Sequence, residues 1–343
     1  MRRRNNNLSK ILASTGAVSI LALFFLLVVL SSRHSLFAEQ VNSTPPRADA
    51  PKSEASDSGD AIFSTDTRLV PLNVTVMDKG GRLITNLPQS AFQVFENGVA
   101  QQIRLFKRED VPVSMGLIID NSGSMREKRA GVESAALALV KDSNRQDEIF
   151  IVNFNEEVYI DADFTSDIAK MEAGLTKIDS RGGTAMRDAI RLSVEHLKEG
   201  AKRDKKVILV VTDGNDNASL VSLEALTRLA QQDDVLIYAI GLLGDEEKRE
   251  AKKARRALEL LAESTGGQVF YPRDVSEVER IAHQVAHDIR NQYTIAYTPL
   301  NTAFDGTYRQ IKVTVKAPGS PVARTRSGYY AGRDQQKGAR KPS

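Results

Sequence analysis

The chain has 343 residues with 41% apolar side chains, enough for two ordinary domains with a sizeable core. Its 47 Lys and Arg against 44 Asp and Glu are too balanced for a dedicated nucleic-acid binder, whose basic residues would dominate. It has no cysteine, which excludes disulfides, thiolate zinc sites and cysteine nucleophiles.

Residues 1–10 form a basic segment with Arg2, Arg3, Arg4 and Lys10. The uncharged stretch 11–30 follows and ends in a dense apolar run. A helix of about twenty apolar residues spans a bilayer. A cleaved secretory signal needs a small-x-small site, and the nearest match, Leu36-Phe37-Ala38, has a large leucine there. The expectation is an uncleaved single-pass anchor in the cell membrane, with secretion after signal cleavage as the alternative. Basic residues before the span keep the N-terminus in the cytoplasm and put the rest of the chain outside. Residues 31–62, with Pro45, Pro46 and Pro51 among Ser, Asp, Glu and Lys, read as a disordered linker.

A β-rich segment is expected over 63–107. Val70, Leu72, Val74 and Val76 alternate with Pro71, Asn73 and Thr75, the period of a half-buried strand. Asp78-Lys79-Gly80-Gly81 is a turn. A strand pair surrounds the hairpin signal Asn97-Gly98, with Phe92, Val94, Val99, Ile103 and Leu105 as its apolar positions.

Over 111–292 the pattern changes to short, continuous apolar runs at 113–120, 149–154, 207–213 and 235–241. Parallel strands covered on both faces read this way. Helical stripes lie between them, Met186, Ala189, Ile190, Val194 and Leu197 in one, Ala251, Ala254, Leu258, Leu261 and Ala262 in another. This alternation predicts an α/β domain with a mainly parallel central sheet. Period two returns over 293–331, in Tyr293, Ile295 and Tyr297, then Ile311, Val313 and Val315, then Gly328-Tyr329-Tyr330. The β-rich flanks suggest one small sandwich with the α/β domain inserted; two separate β units are the alternative. Residues 332–343 read as a disordered tail.

The first α/β strand ends in Asp120-Asn121-Ser122-Gly123-Ser124-Met125, an acid and two hydroxyls at alternate positions of a loop entering a helix. Asp213 stands after another strand, in Thr212-Asp213-Gly214, and Gly182-Gly183-Thr184 opens a helix between the two. Ligands of open α/β sheets bind outside the carboxyl ends of the strands, where these residues fall. Asp120, Ser122, Ser124, Thr184 and Asp213 all offer oxygen, which suits a hard cation: magnesium first, manganese or calcium next. Two carboxylates neutralise a divalent ion and hydroxyls add no charge, so the ion would still take an anionic oxygen from a partner. As blander readings, Ser122 and Ser124 could be helix caps and Asp213 a turn residue.

These three motifs, in this order at strand ends, resemble the metal-ion-dependent adhesion site of von Willebrand factor type A domains. The resemblance covers about 111–292. The flanks look like the bacterial VWFA-related proteins, in the stretch Phe92-Gln93-Val94-Phe95-Glu96-Asn97-Gly98 and the ending Arg326-Ser327-Gly328-Tyr329-Tyr330. It implies a Rossmann-like three-layer domain and metal-mediated binding of a protein ligand that has an exposed acidic residue. It also implies that Ser122, Ser124 and Thr184 bind metal by hydroxyl, and Asp120 and Asp213 directly or through water.

Three other patterns compete. Asp213 to Glu224 has calcium-loop spacing, but Ala218 stands where that loop needs glycine. His283-Gln284-Val285-Ala286-His287 resembles a zinc-protease helix without its glutamate, and the buried stripe puts both histidines on the solvated face. Lys248, Arg249, Lys252, Lys253, Arg255 and Arg256 form a basic helical face with Glu246, Glu247 and Glu250 nearby, as a solvated surface does. No enzyme signature is present, and the oligomeric state is not legible.

Overall fold

A computed structural model describes residues 69–332, apart from 109, 176–179, 215 and 244–247. The expected membrane span, the linker and all of the tail but Gly332 lie outside the described residues. Among the described residues no helix is long and apolar enough to cross a membrane.

The chain opens with β1 (Val70–Met77), β2 (Phe92–Glu96), β3 (Val99–Gln101) and β4 (Ile103–Lys107). β2 and β3 form a hairpin, and Asn97 and Gly98, at φ 48° and 81°, take the left-handed conformations that its two-residue turn demands. The hairpin does not run on to Leu105. The chain leaves this sheet at Gln102, and β4 joins the opposite one. Ile103 and Leu105 therefore belong to a different strand pairing from Val99, a change of sheet that alternation alone does not reveal.

The α/β region follows in chain order: β5 (Val113–Asp120), α1 (Arg129–Lys141), β6 (Glu148–Phe154), β7 (Val158–Thr165), α2 (Ile168–Leu175), α3 (Met186–Gly200), β8 (Lys205–Thr212), α4 (Leu223–Gln232), β9 (Val235–Gly241), α5 (Lys248–Thr265), β10 (Val269–Phe270) and α6 (Val278–Arg290). The sheet order is β10-β9-β8-β5-β6-β7, parallel throughout except for β7, which pairs antiparallel with β6 at the edge. β5 is buried at every position because both faces are covered. Met115, Leu117 and Ile119 pack toward α1, α2 and α6, whereas Ile118 packs toward α3, α4 and α5. Each buried aliphatic side chain of this kind contributes about 1.5–3 kcal/mol. Gly116 is needed at the sheet centre, since a Cβ there would lie 2.5 Å from the Phe150 ring.

The chain closes with β11 (Tyr293–Tyr297), β12 (Tyr308–Val315), β13 (Val322–Arg324) and β14 (Gly328–Tyr330). Two four-stranded sheets, β13-β1-β11-β4 and β14-β12-β2-β3, draw strands from both ends of the described chain and share one apolar core of Leu72, Val74, Phe92, Val94, Ile295 and Val313. Buried Glu96 ties the halves together, accepting from the hydroxyls of Tyr297 at 2.7 Å and Tyr329 at 2.9 Å. The sandwich grips the α/β layer through Gln292, whose side-chain amide donates to Thr75 and Tyr238 at 2.9 and 3.2 Å. Arg326 adds a bond to Asp234 at 2.8 Å.

Candidate functional site at the carboxyl edge of the sheet

Strand register builds the site. β5 and β8 pair in parallel with Ile119 opposite Val211, so the next residues, Asp120 and Thr212, come abreast as the strands end. The Thr212 hydroxyl donates to Asp120 Oδ2 at 2.6 Å. The other oxygen of Asp120 accepts from the Ser122 backbone N–H at 2.8 Å, which bends the chain away from the sheet. A short 3-10 turn, Gly123–Met125, then leads toward α1, and its Met125 anchor is fully buried.

This bend lines up the oxygen donors. The hydroxyls of Ser122 and Ser124 lie 3.2 Å apart, and the Ser124 hydroxyl donates to Asp213 Oδ1 at 2.8 Å. Asp120, Ser122, Ser124 and Asp213 thus form one continuous set. Ser122 stands at the N-cap of this turn, and its side chain makes no capping bond there. Thr184 is brought to the same edge by its backbone. Gly123 N donates to Gly182 O at 3.2 Å, and Thr184 N donates to Asn217 Oδ1 at 2.9 Å. Gly182 has a φ of 70°, and Gly183 leaves no room for a side chain against Asn217. The two glycines let the loop lie this close.

Burial sets the electrostatics. Asp120, Ser122, Thr184 and Asp213 are buried, whereas Ser124 and Gly123 face solvent. Desolvation, with a smaller contribution from the nearby Asp213, outweighs the hydrogen bonds from Thr212 and Ser122 and leaves the Asp120 carboxyl raised to about 6. Asp213 is held by Lys128, whose Nζ lies 2.5 Å from Oδ2. Among the described residues, no three or more His, Cys, Asp or Glu cluster as a metal site. The set at this edge holds two carboxylates, Asp120 and Asp213, and its remaining donors are hydroxyls. The set fits a hard divalent cation: oxygen only, two negative charges, and a buried carboxylate that lacks a cation of its own.

Several neighbours carry weight that the motifs do not announce. Lys128 sits in a run of charged residues that reads as solvated. Asn121 donates to Asn153 at 2.8 Å, and Asn153 to Asp161 at 2.8 Å, pinning the loop base to β6. The available signal was Asn153 inside an apolar strand. The loop after β8 is fastened to the start of α3: Asp216 accepts from the Arg187 backbone at 2.7 Å, and Asp188 accepts from Leu220 N at 2.8 Å. Within this tied loop the Leu220 side chain is 95% exposed.

Two of the competing patterns, the histidine pair and the basic helical face, take their bland forms. His283 and His287 are exposed on α6, with His283 against Asp142. On α5, Arg249, Lys252 and Arg256 are exposed, Lys253 pairs with Glu250 at 2.8 Å, and Arg255 lies over the Tyr271 ring at 3.7 Å.

A family model of the von Willebrand factor type A domain matches residues 115–215. An uncharacterized protein of Synechocystis sp. is 23% identical over 185 residues, which is 53% of this chain and 42% of that relative. The chain thus covers well under half the length of that curated relative. Among solved structures, a von Willebrand factor type A protein from Catenulispora acidiphila is 14% identical with a TM-score of 0.47, covering 73% of this chain and 76% of its own. Proximal thread matrix protein 1 from the mussel byssus, with a zinc-occupied MIDAS motif, is 16% identical with a TM-score of 0.47, covering 57% and 50%. The vWF domain of the type V pili tip protein Mfa5 from Porphyromonas gingivalis is 14% identical with a TM-score of 0.44, covering 52% and 95%. The family model runs from β5 to the loop after β8, across the Asp-x-Ser-x-Ser, Gly-Gly-Thr and Thr-Asp-Gly motifs, so residues 115–215 of this chain match a von Willebrand factor type A domain.

Proposed function

We propose that this chain is a protein-binding module, not an enzyme, whose site loads a divalent cation, magnesium in preference to manganese or calcium, and through it captures an acidic side chain of a protein partner. Asp120 and Asp213 supply the negative charge, and Ser122, Ser124 and Thr184 the neutral oxygens. A bound divalent ion would supply an electrophilic position for one more anionic oxygen. The observation that carries this reading is the mixed exposure of the site: buried carboxylates beneath a serine hydroxyl, Ser124, that faces solvent. The ligand set is thereby protected from below and open from above. Leu220, exposed on a loop tied to the same edge, gives the rim an apolar contact point.

Calorimetric titration of magnesium, manganese and calcium into the full chain tests this, with Asp120→Ala and Thr184→Ala alongside. Saturable binding that Asp120→Ala abolishes is expected. Absence of binding by all three ions in the unaltered chain would sink the reading. Partner capture that persists in chelator would remove the acidic-residue step alone. A metal-dependent melting temperature without metal-dependent capture would favour the second reading, a scaffold of a cell-envelope complex in which the metal serves stability.

In this proposal residues 11–30 tether the module to a membrane, with 31–62 as spacer and the folded part on the extracytoplasmic side. An alkaline wash of membranes should leave the chain in the pellet with its N-terminus intact. A chain that begins near residue 39 and is released would mean signal cleavage.

A further inference from the structure

Lys128 stands at the start of α1, four residues beyond Ser124. Its Nζ donates to Asp213 Oδ2 at 2.5 Å and lies 3.4 Å from the carbonyl oxygen of Leu242. The Asp213 side chain has no solvent exposure, whereas 28% of the Lys128 side chain remains exposed. The other oxygen of Asp213 accepts from Ser124. Both oxygens of this carboxylate are therefore taken by the protein itself. Asp120 is satisfied differently, by a backbone N–H and a hydroxyl. Of the two acids in the site, one carries a bound positive charge and the other does not.

We propose that Lys128 is an internal counter-ion that competes with the divalent cation for Asp213, so that the domain is stable without metal and holds metal less tightly than its ligands alone would allow. This rests on the metal-site reading above. A buried carboxylate requires compensation by charge or by donors, and the ammonium provides it when no metal is bound. A divalent ion at Asp213 must either displace that ammonium or lie beside it, and two cations at such separation repel strongly in a poorly solvated pocket. The Lys128 side chain is partly exposed, so the ammonium has a route outward to solvent, which Gly123 and Ser124 also face. The purpose is legible in the charges: with Lys128 in place the metal-free site is closer to neutral, so folding does not wait for the ion.

Calorimetric magnesium and manganese titrations of the unaltered full chain, Lys128→Met and Lys128→Arg test the proposal, together with melting curves in chelator and in saturating magnesium. Lys128→Met removes the charge and keeps the stem. It should bind magnesium about tenfold tighter, a change of about 1.4 kcal/mol. It should also melt lower in chelator and gain more from magnesium than the unaltered chain. Lys128→Arg keeps the charge and should bind close to the unaltered chain. A salt bridge with only a structural role predicts the same lower melting temperature for Lys128→Met but unchanged or weaker metal binding, and that binding result overturns the proposal. Saturable binding in the unaltered chain with no gain in the variant defeats this inference alone; no binding in either defeats the metal-site reading with it. Lys128→Gln, which keeps an N–H donor without charge, supplies the same comparison if the methionine variant does not fold.

Discussion

The Thr212 hydroxyl donates to Asp120 Oδ2 at 2.6 Å, joining the ends of two parallel strands 92 residues apart in the chain. The bond stabilises the ionised form of Asp120 against burial that pushes its pKa up to about 6. Thr212→Val keeps the shape and removes the donor. Losing a buried hydrogen bond to a charged acceptor costs about 1.5–3 kcal/mol. Asp120 should then take up a proton more readily, and magnesium affinity at neutral pH should fall. Calorimetry at pH 6 and pH 8 checks this: the deficit should shrink at the higher pH, where Asp120 is ionised in both proteins. An unchanged affinity at both would show that Thr212 does not tune the site.

Gly182 holds a φ of 70°, and a Cβ there would lie 1.7 Å from Glu156 Oε2. The Glu156 side chain is exposed and would swing away, losing its bond to Gly183 N at 2.7 Å. The left-handed conformation remains, at about 1–2 kcal/mol for a residue with a side chain. Gly182→Ala should therefore lower stability by about that amount in urea unfolding and weaken metal binding through Thr184. A loss confined to stability would mean that the loop can relax without moving Thr184.

Asp288 on α6 is buried, and desolvation raises its pKa to about 6 against an ordinary 3.8, with Arg324 and His287 opposing. Because the folded value lies above the unfolded one, its contribution is fully present below about 3.8 and is lost as pH rises through about 6. Asp288→Asn removes the cost of holding a buried charge. It should raise stability by about 1–3 kcal/mol at pH 8 and change it little at pH 4. Urea midpoints at the two pH values decide; a destabilisation at pH 8 would mean that the charge is well compensated by Arg324.

Glu96 accepts two buried tyrosine hydroxyls from the far end of the chain, Tyr297 and Tyr329. Glu96→Ala leaves both without their acceptor and opens a cavity, so a loss of about 3–5 kcal/mol is expected. Tyr329→Phe removes one donor and should cost about 1–2 kcal/mol. Chemical denaturation of each variant, with metal binding measured in parallel, checks this. Metal affinity should not change, because the sandwich lies away from the carboxyl edge of the central sheet; a change would mean that the two are coupled.

Some of this molecule follows from local order alone. Runs such as 113–120 and 207–212 are apolar without alternation because both strand faces are covered, and that covering is what puts Asp120 and Asp213 at strand ends. Spacing within one loop likewise places Ser122 and Ser124 on the same side, since the turn between them is short. Asn97-Gly98 encodes its hairpin because few residue pairs adopt two successive positive φ values. Other features depend on residues distant in the chain. That β4 leaves the sheet of β3 is decided by pairing with β11, some 190 residues on. The mixed polarity of β7 gave no run to read, and its antiparallel place at the edge needs less apolar cover. Lys128 lies among Arg126, Glu127 and Arg129, where sequence suggests solvent, and only the approach of β8 brings a buried carboxylate to its ammonium. The amino-acid sequence by itself determined which residues stand at the carboxyl edge, because strand periodicity and loop spacing are local. The tertiary structure alone decided which of them are buried, which share a hydrogen bond and which carries a counter-charge, because desolvation and Coulomb attraction depend on neighbours that the chain brings together only on folding.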